Sequence, residues 1–92
     1  MITPMRIAIF VSGSGTNCEN IIRYFHDSDH VRTALVVSNR SDAYALERAR
    51  RLGVPTAIVT KAQFADPQTV MPLLREYSID FIVLAGFLPM IA

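Results

Sequence analysis

The chain has one cysteine, Cys18, and no tryptophan. A lone thiol excludes an internal disulfide and a zinc site built from cysteines, and it suits a reducing compartment. Charge is scarce as well. Only 18% of residues are charged and the formal net charge is +1. That balance gives no electrostatic basis for holding nucleic acid or an acidic membrane surface. Long hydrophobic runs are missing: the longest early one, Ile7 to Val11, is too short for a signal-peptide core or a membrane span. The cytoplasm is therefore the expected location, with no membrane partner. There is no internal repeat, low-complexity tract or linker. What is present is 51% hydrophobic in 92 residues, the composition of one small globular domain or of part of a larger one.

The segment that organises the rest is Arg6 to Asn20, RIAIFVSGSGTNCEN. Its apolar run does not alternate, which predicts a strand over Arg6–Val11 buried on both faces of a parallel sheet. The run breaks into Ser12-Gly13-Ser14-Gly15-Thr16-Asn17 and resumes with helical spacing to Phe25, with Ile21, Ile22 and Phe25 on one face. Glu19 follows Thr16 with capping-box spacing, which marks a helix start near Thr16. Glycines let the backbone approach a ligand, and the free amides of a first helical turn, with about half a positive charge from the helix dipole, favour an anion.

Further along, strands are predicted at Val31–Ser38, Thr56–Val59 and Ile79–Leu84. A helix is predicted over Ala43–Leu52, with Asp42 as its cap and Gly53 as its stop. Its inner stripe is Ala45, Leu46, Ala49 and Leu52; Glu47, Arg48, Arg50 and Arg51 face water. Lys61 to Ala65 reads as a connector, and Asp66-Pro67 as N-cap and first residue of a helix reaching Tyr77. Pro72 implies either a start nearer Val70 or a kink. The order is βαβαβαβ, a Rossmann-like α/β parallel sheet with right-handed crossovers. Strand four and the tail AGFLPMIA are apolar with no covering partner in the sequence. The expectation is the front half of a longer α/β domain; a molecule ending at Ala92 would associate through that edge.

The glycine turn has look-alikes. A P-loop needs lysine after its last glycine, and Thr16 stands there. The dinucleotide fingerprint wants a third glycine where Cys18 stands, although Arg40 after strand two suits the 2′-phosphate of NADP and keeps a reductase reading open. A turn serving only to reverse the chain, or a non-catalytic phosphate-binding module, is the plainer alternative. Position favours binding: the turn lies at the carboxyl end of the first strand, where open α/β sheets hold ligands. With a strand order of 3-2-1-4, this turn and Ala85–Ala92 flank one crevice.

SGSGTN after the first strand, SNRSDAYALERARRLGVP in the middle and DFIVLAGFL near the end resemble the phosphoribosylglycinamide formyltransferases. The likeness covers nearly all of residues 1–92 but only the amino-terminal half of such a domain. It implies transfer of a formyl group from 10-formyltetrahydrofolate to the amine of glycinamide ribonucleotide, in purine synthesis. Gly15, Thr16 and Asn17 match the loop that holds the ribonucleotide phosphate. Leu88, Pro89, Met90 and Ile91 match the segment lining the folate pteridine pocket, where family members often carry arginine at the position of Pro89. The family's folate-contacting arginine finds no match near Asp66-Pro67. Its catalytic asparagine and histidine, in an Asn-x-His strand, and its later aspartate are absent from these residues, so residues 1–92 alone are expected to be inactive.

The remaining candidates have plain explanations. His26 and His30 beside Asp27 and Asp29 fit a surface turn better than a metal site, and no metal is expected. Cys18 has no visible base and reads as a packing residue. Phe64, Tyr77 and Phe87 read as core or pocket wall rather than platforms for bases.

Overall fold

The computed structural model describes residues 4–13 and 15–85, apart from the side chains of residues 61 and 64. Its elements are β1 (Met5–Val11), α1 (Thr16–Tyr24), β2 (Val31–Ser38), α2 (Tyr44–Arg51), β3 (Thr56–Ile58), α3 (Lys61–Phe64), α4 (Pro67–Glu76) and β4 (Phe81–Leu84). The strands form one parallel sheet, as the sequence predicts, in the order β3-β2-β1-β4 that the crevice between the glycine turn and the end of β4 supposes.

β1 and β2 are central, and their non-alternating runs are buried on both faces, from Ile7 to Val11 and from Ala34 to Ser38. Because side chains alternate along a strand, the two faces carry separate clusters. Ile7, Ile9, Val11 and Val36 pack with Cys18 and Ile22 of α1 and with Ala45, Leu46 and Ala49 of α2. Ala8, Phe10, Leu35 and Val37 pack with Val59, against partly buried Val70, Leu73 and Leu74 of α4. The helices thus lie on both sides of the sheet, and the switch falls between β1 and β4. The β1–β2 register slips between Ile7 and Ala8, which face Thr33 and Leu35, leaving Ala34 as an extra residue. The bulge exchanges the faces of β2 beyond it.

Three local expectations change. The N-cap of α1 is Gly15, not Thr16, and no side chain caps it. Glu19 instead accepts a hydrogen bond from Arg48 at 3.2 Å and lies 3.4 Å from Arg23. Ala43, not Asp42, is the N-cap of α2, because the Asp42 carboxylate is taken by both nitrogens of the Arg40 fork at 3.2 Å. The stretch expected as a connector contains α3, opened by a reciprocal capping box: Gln63 N–H donates to Thr60 Oγ1 at 3.1 Å and Thr60 N–H to Gln63 Oε1 at 3.0 Å. Asp66 does cap α4, accepting from Gln68 N–H at 3.0 Å, and the helix runs from Pro67 with Pro72 inside it.

Both long crossovers end alike. After α2, Val54 N–H donates to Ala49 O at 2.9 Å and Gly53 N–H to Arg50 O at 3.1 Å; after α4, Ile79 N–H donates to Leu74 O at 2.9 Å and Ser78 N–H to Arg75 O at 3.0 Å. This double bond closes a helix when the intervening residue is left-handed. Gly53 has φ 77° and Ser78 has φ 54°. Ile79 is committed to this cap, which is why β4 begins at Phe81. A Cβ at a left-handed position is disfavoured, so Ser78→Gly is expected to raise unfolding stability by about 1 kcal/mol and Gly53→Ala to lower it by about as much. Urea denaturation of both variants measures this; a destabilising Ser78→Gly would show that the Ser78 side chain is needed where it stands.

Candidate functional site

The carboxyl ends of β1, β2 and β4 meet at the switch point. β1 runs out at Val11, level with Ser38 of β2, and Ser12 and Ser38 are both buried. On the other flank, Ala85 N–H donates to Phe10 O at 2.9 Å, so the chain leaves β4 beside the same turn. In open α/β sheets this place, where the crossovers diverge, is a cleft.

The turn itself is set by Gly15. Its φ of 82° is left-handed, and a Cβ added there would meet Ala45 of α2, at 2.4 Å from its Cβ and 2.6 Å from its Cα. Gly15 is therefore required twice, by its backbone angle and by helix packing. It is buried, and its carbonyl accepts the first helical bond, from Glu19 N–H at 2.8 Å. Thr16 and Asn17 are exposed at the head of α1. Gly13 is exposed, and a Cβ there meets nothing within 4 Å. The arrangement is a turn with open space above Gly13 and the positive end of a nine-residue helix beneath it.

Around this turn the other candidates resolve. Cys18 is fully buried in the core, and burial, with the neighbouring Glu19 carboxylate, pushes its thiol up to about 11. A thiol so hard to ionise is a packing group and not a nucleophile. Arg40 is exposed and paired with Asp42, whose carboxyl its hydrogen bonds hold below the usual range. Arg48 departs from the expected water-facing role. It is three-quarters buried, holds Glu19 across the α1–α2 interface, and lies over the Tyr44 ring with its guanidinium carbon 4.8 Å from the centroid. That hydrogen bond, with Arg23 adding its charge, keeps the Glu19 carboxyl below its ordinary range.

Leu88, Pro89, Met90 and Ile91, and with them Ser14 and Phe87, lie outside the described residues. Among the described residues no group of three His, Cys, Asp or Glu is placed to hold a metal, and His26 sits in an exposed turn with Asp27 at 4.0 Å. No helix among them is long and apolar enough to cross a membrane. One feature of the site escapes a sequence reading. Asn39, directly after β2, buries its Oδ1 without a hydrogen-bond partner among the described residues. Only burial reveals an acceptor in need of a donor.

A family model described as formyl transferase matches residues 5–92. The chain is 35% identical over 88 residues to a phosphoribosylglycinamide formyltransferase of Haemophilus influenzae, covering 90% of this chain and 42% of that protein. It is 35% identical to the chloroplastic enzyme of that name from Arabidopsis thaliana, covering 94% of this chain and 32% of the other. Among solved structures, glycinamide ribonucleotide transformylase 1 of Symbiobacterium toebii superposes with a TM-score of 0.82 at 36% identity, over 94% of this chain and 43% of its own. The corresponding Geobacillus kaustophilus structure gives 0.81 at 36% identity, over 92% and 48%. The chain thus spans less than half the length of these relatives.

The Gly15–Ala45 contact makes a direct prediction. Gly15→Ala is expected to cost roughly 2–5 kcal/mol, from the left-handed angle and from overpacking together. Ala45→Gly in the same chain should restore only part, since the Ala45 backbone stays too close. A double-mutant cycle by urea denaturation reads this coupling, and strict additivity would show that the two residues do not touch.

Proposed function

The chain belongs to the formyl transferase family, and from that premise we propose that it forms the ribonucleotide-holding, amino-terminal half of a phosphoribosylglycinamide formyltransferase domain. The reaction is transfer of a formyl group from 10-formyltetrahydrofolate to the amine of glycinamide ribonucleotide, a step of cytoplasmic purine synthesis. The observation that carries the reading is the turn at the carboxyl end of β1: left-handed at Gly15, open above Gly13, with no side-chain cap on α1. A phosphate seated there meets the backbone of Gly15, Thr16 and Asn17 and the positive end of the helix. In this reading the segment Leu88, Pro89, Met90 and Ile91 lines the folate pocket. Pro89 brings no amide hydrogen, so any main-chain donor in that segment is a neighbour.

The chemistry defines what else is needed. The substrate amine attacks the formyl carbon, a new C–N bond forms, and the bond to the folate N10 breaks as that nitrogen takes up a proton. Negative charge gathers on the formyl oxygen on the way, and the amine gives up a proton. No group among the described residues near the turn is suited to these tasks: the thiol is buried, and the nearby arginines are tied to carboxylates. Residues 1–92 then grip the substrate's phosphate end and leave the proton transfers to the part of the domain they lack. Formyl transfer above the uncatalysed rate by the purified 92-residue chain would refute that division.

Binding is tested separately. Ribose 5-phosphate or glycinamide ribonucleotide added to the labelled chain is expected to shift amide resonances of Ser12–Asn17. Gly13→Val fills the open space without straining the fold, so it should weaken that binding by about tenfold or more while the urea midpoint stays put. Shifts elsewhere only, or full binding by the valine variant, would sink the assignment.

We also propose that the chain, taken alone, pairs with a second copy along β4. Among the described residues this strand has β1 on one side and no strand on the other, and Phe81, Ile82 and Leu84 are 57%, 39% and 49% exposed. An open edge with apolar side chains on both faces favours addition of another strand. Sedimentation should give a concentration-dependent dimer or larger species, shifted toward monomer by Leu84→Lys; a monomer at all concentrations would contradict this.

A further inference from the structure

Two contacts tie α1 to α2 within one helical turn. Gly15, the N-cap of α1, rests on Ala45. One turn further along α1, Glu19 Oε1 accepts from Arg48 Nη1 at 3.2 Å. Ala45 and Arg48 are three residues apart on α2, so both can face the same neighbour. Glu19 also closes the first turn of its own helix, its amide donating to Gly15 O at 2.8 Å. The residues bracketed by the two contacts are Thr16, Asn17 and Cys18. Cys18 is committed to the core. Thr16 and Asn17 are the two whose backbone meets the phosphate in the reading proposed above.

The two contacts differ in kind. Gly15 on Ala45 is steric and sets how close the helices come. Cys18 and Ile22 hold α1 to the sheet, but apolar contact has no direction of its own and fixes distance better than rotation. The Glu19–Arg48 pair is directional. Both side chains are about three-quarters buried, so salt screens the pair less than a surface one. Arg48 is itself held in place, its guanidinium carbon 4.8 Å from the Tyr44 ring centroid. The Tyr44 hydroxyl in turn accepts from Arg51 Nη1 at 2.9 Å. On the other side, Arg23 Nε lies 3.4 Å from Glu19 Oε2, so both carboxylate oxygens are engaged. A helix resting on one point can pivot about it and roll. A second, directional contact one turn along stops both.

We propose that Glu19 and Arg48 are positioning residues of the phosphate site: their contact sets the rotation of α1 at which the backbone of Thr16 and Asn17 faces the substrate's phosphate. The proposal rests on the reading of the glycine turn as that site. Neither side chain touches the ligand in it; each acts through the first turn of α1. The role has a sign that charge alone does not give. A carboxylate within a turn of a seated phosphate repels it, so removing Glu19 should tighten phosphate binding if only charge mattered. If Glu19 positions the helix, removing it weakens binding.

The test titrates ribose 5-phosphate into the labelled 92-residue chain at fixed ionic strength and reads the dissociation constant from the amide resonances of Ser12–Asn17. Glu19→Ala is expected to weaken binding about tenfold although it removes a negative charge. Glu19→Gln, whose amide oxygen can still accept from Arg48, should lose about threefold or less. Glu19→Ala combined with Arg48→Ala should bind no more weakly than the weaker single variant, because the contact is already gone. Leu73→Ala, in the cluster on the other face of the sheet, lowers the urea midpoint and should leave the dissociation constant unchanged. Equal or tighter binding by Glu19→Ala, losses that multiply in the double variant, or an equal loss in Leu73→Ala would each overturn the proposal and leave the phosphate site standing. An unaltered chain that does not bind ribose 5-phosphate at the turn would overturn both.

Discussion

The close approach of Gly15 to Ala45 is the constraint on which the molecule's working end rests. No Cβ fits on Gly15, where the facing helix presents the methyl group and backbone of Ala45. Because both residues are small, α1 and α2 lie together on one face of the sheet, and the turn is held from below by that packing. The shared core of Cys18, Ile22, Ala45, Leu46 and Ala49 follows from that approach. So does the reach of Arg48 across to Glu19, which needs the two helices at this distance. Small residues at a helix contact give up buried area; here they gain a defined position for the head of α1.

This also explains why Glu19 does not cap its own helix. A carboxylate three residues into a helix can reach back to the N-cap or outward to a cation. With Gly15 left-handed and in the N-cap position, Arg48 offers Glu19 a charge-assisted partner that also bridges two elements. No side chain caps α1, and Glu19 is drawn away from its head. Glu19 stabilises the platform without shielding it. Its lowered pKa means that the stabilisation is present above the ordinary glutamate range and is lost as pH falls through the depressed value.

Much of this architecture was legible in the residues. The non-alternating apolar run of β1 gave a strand buried on both faces, and the alternation of strands and helices gave a parallel sheet, whereas the strand order was a supposition until the pairing showed it. Gly53 and Asp66-Pro67 announced their helix ends because their side chains, or lack of one, act locally. The misses share a cause. Ser78 takes the same left-handed place as Gly53 but carries no glycine signal, so β4 looked two residues longer than it is. Thr16-x-x-Glu19 and Thr60-x-x-Gln63 have the same spacing, yet only the second forms a box, because no arginine competes for Gln63. Gly15 was read as a ligand-facing glycine, whereas its packing against Ala45, far away in sequence, is equally demanding. Asn39 and Thr33 drew no notice as unpaired groups because burial is a property of the fold and not of the residue.

A grip on a substrate's phosphate is binding energy taken from a part of the molecule that does not react. Used alone it holds ground state and transition state equally and accelerates nothing. It becomes useful when it fixes the amine against the formyl carbon and removes the entropy of bringing them together. That requires a rigid line from the phosphate site to the reacting atoms. The sheet provides one: β1 is buried from Ile7 to Val11, flanked by β2 and β4, and its turn is pinned by the Gly15–Ala45 contact. β4 is the less buried neighbour, and it borders the cleft where the proposed folate segment begins. On the proposed reading the two halves of the reaction therefore have different mechanical settings, a phosphate held on the stiffest strand and a folate approached from an edge that needs further structure to become equally firm. Catalysis then depends on that edge being covered, since an anchor fixes a reaction only as well as its less rigid side allows.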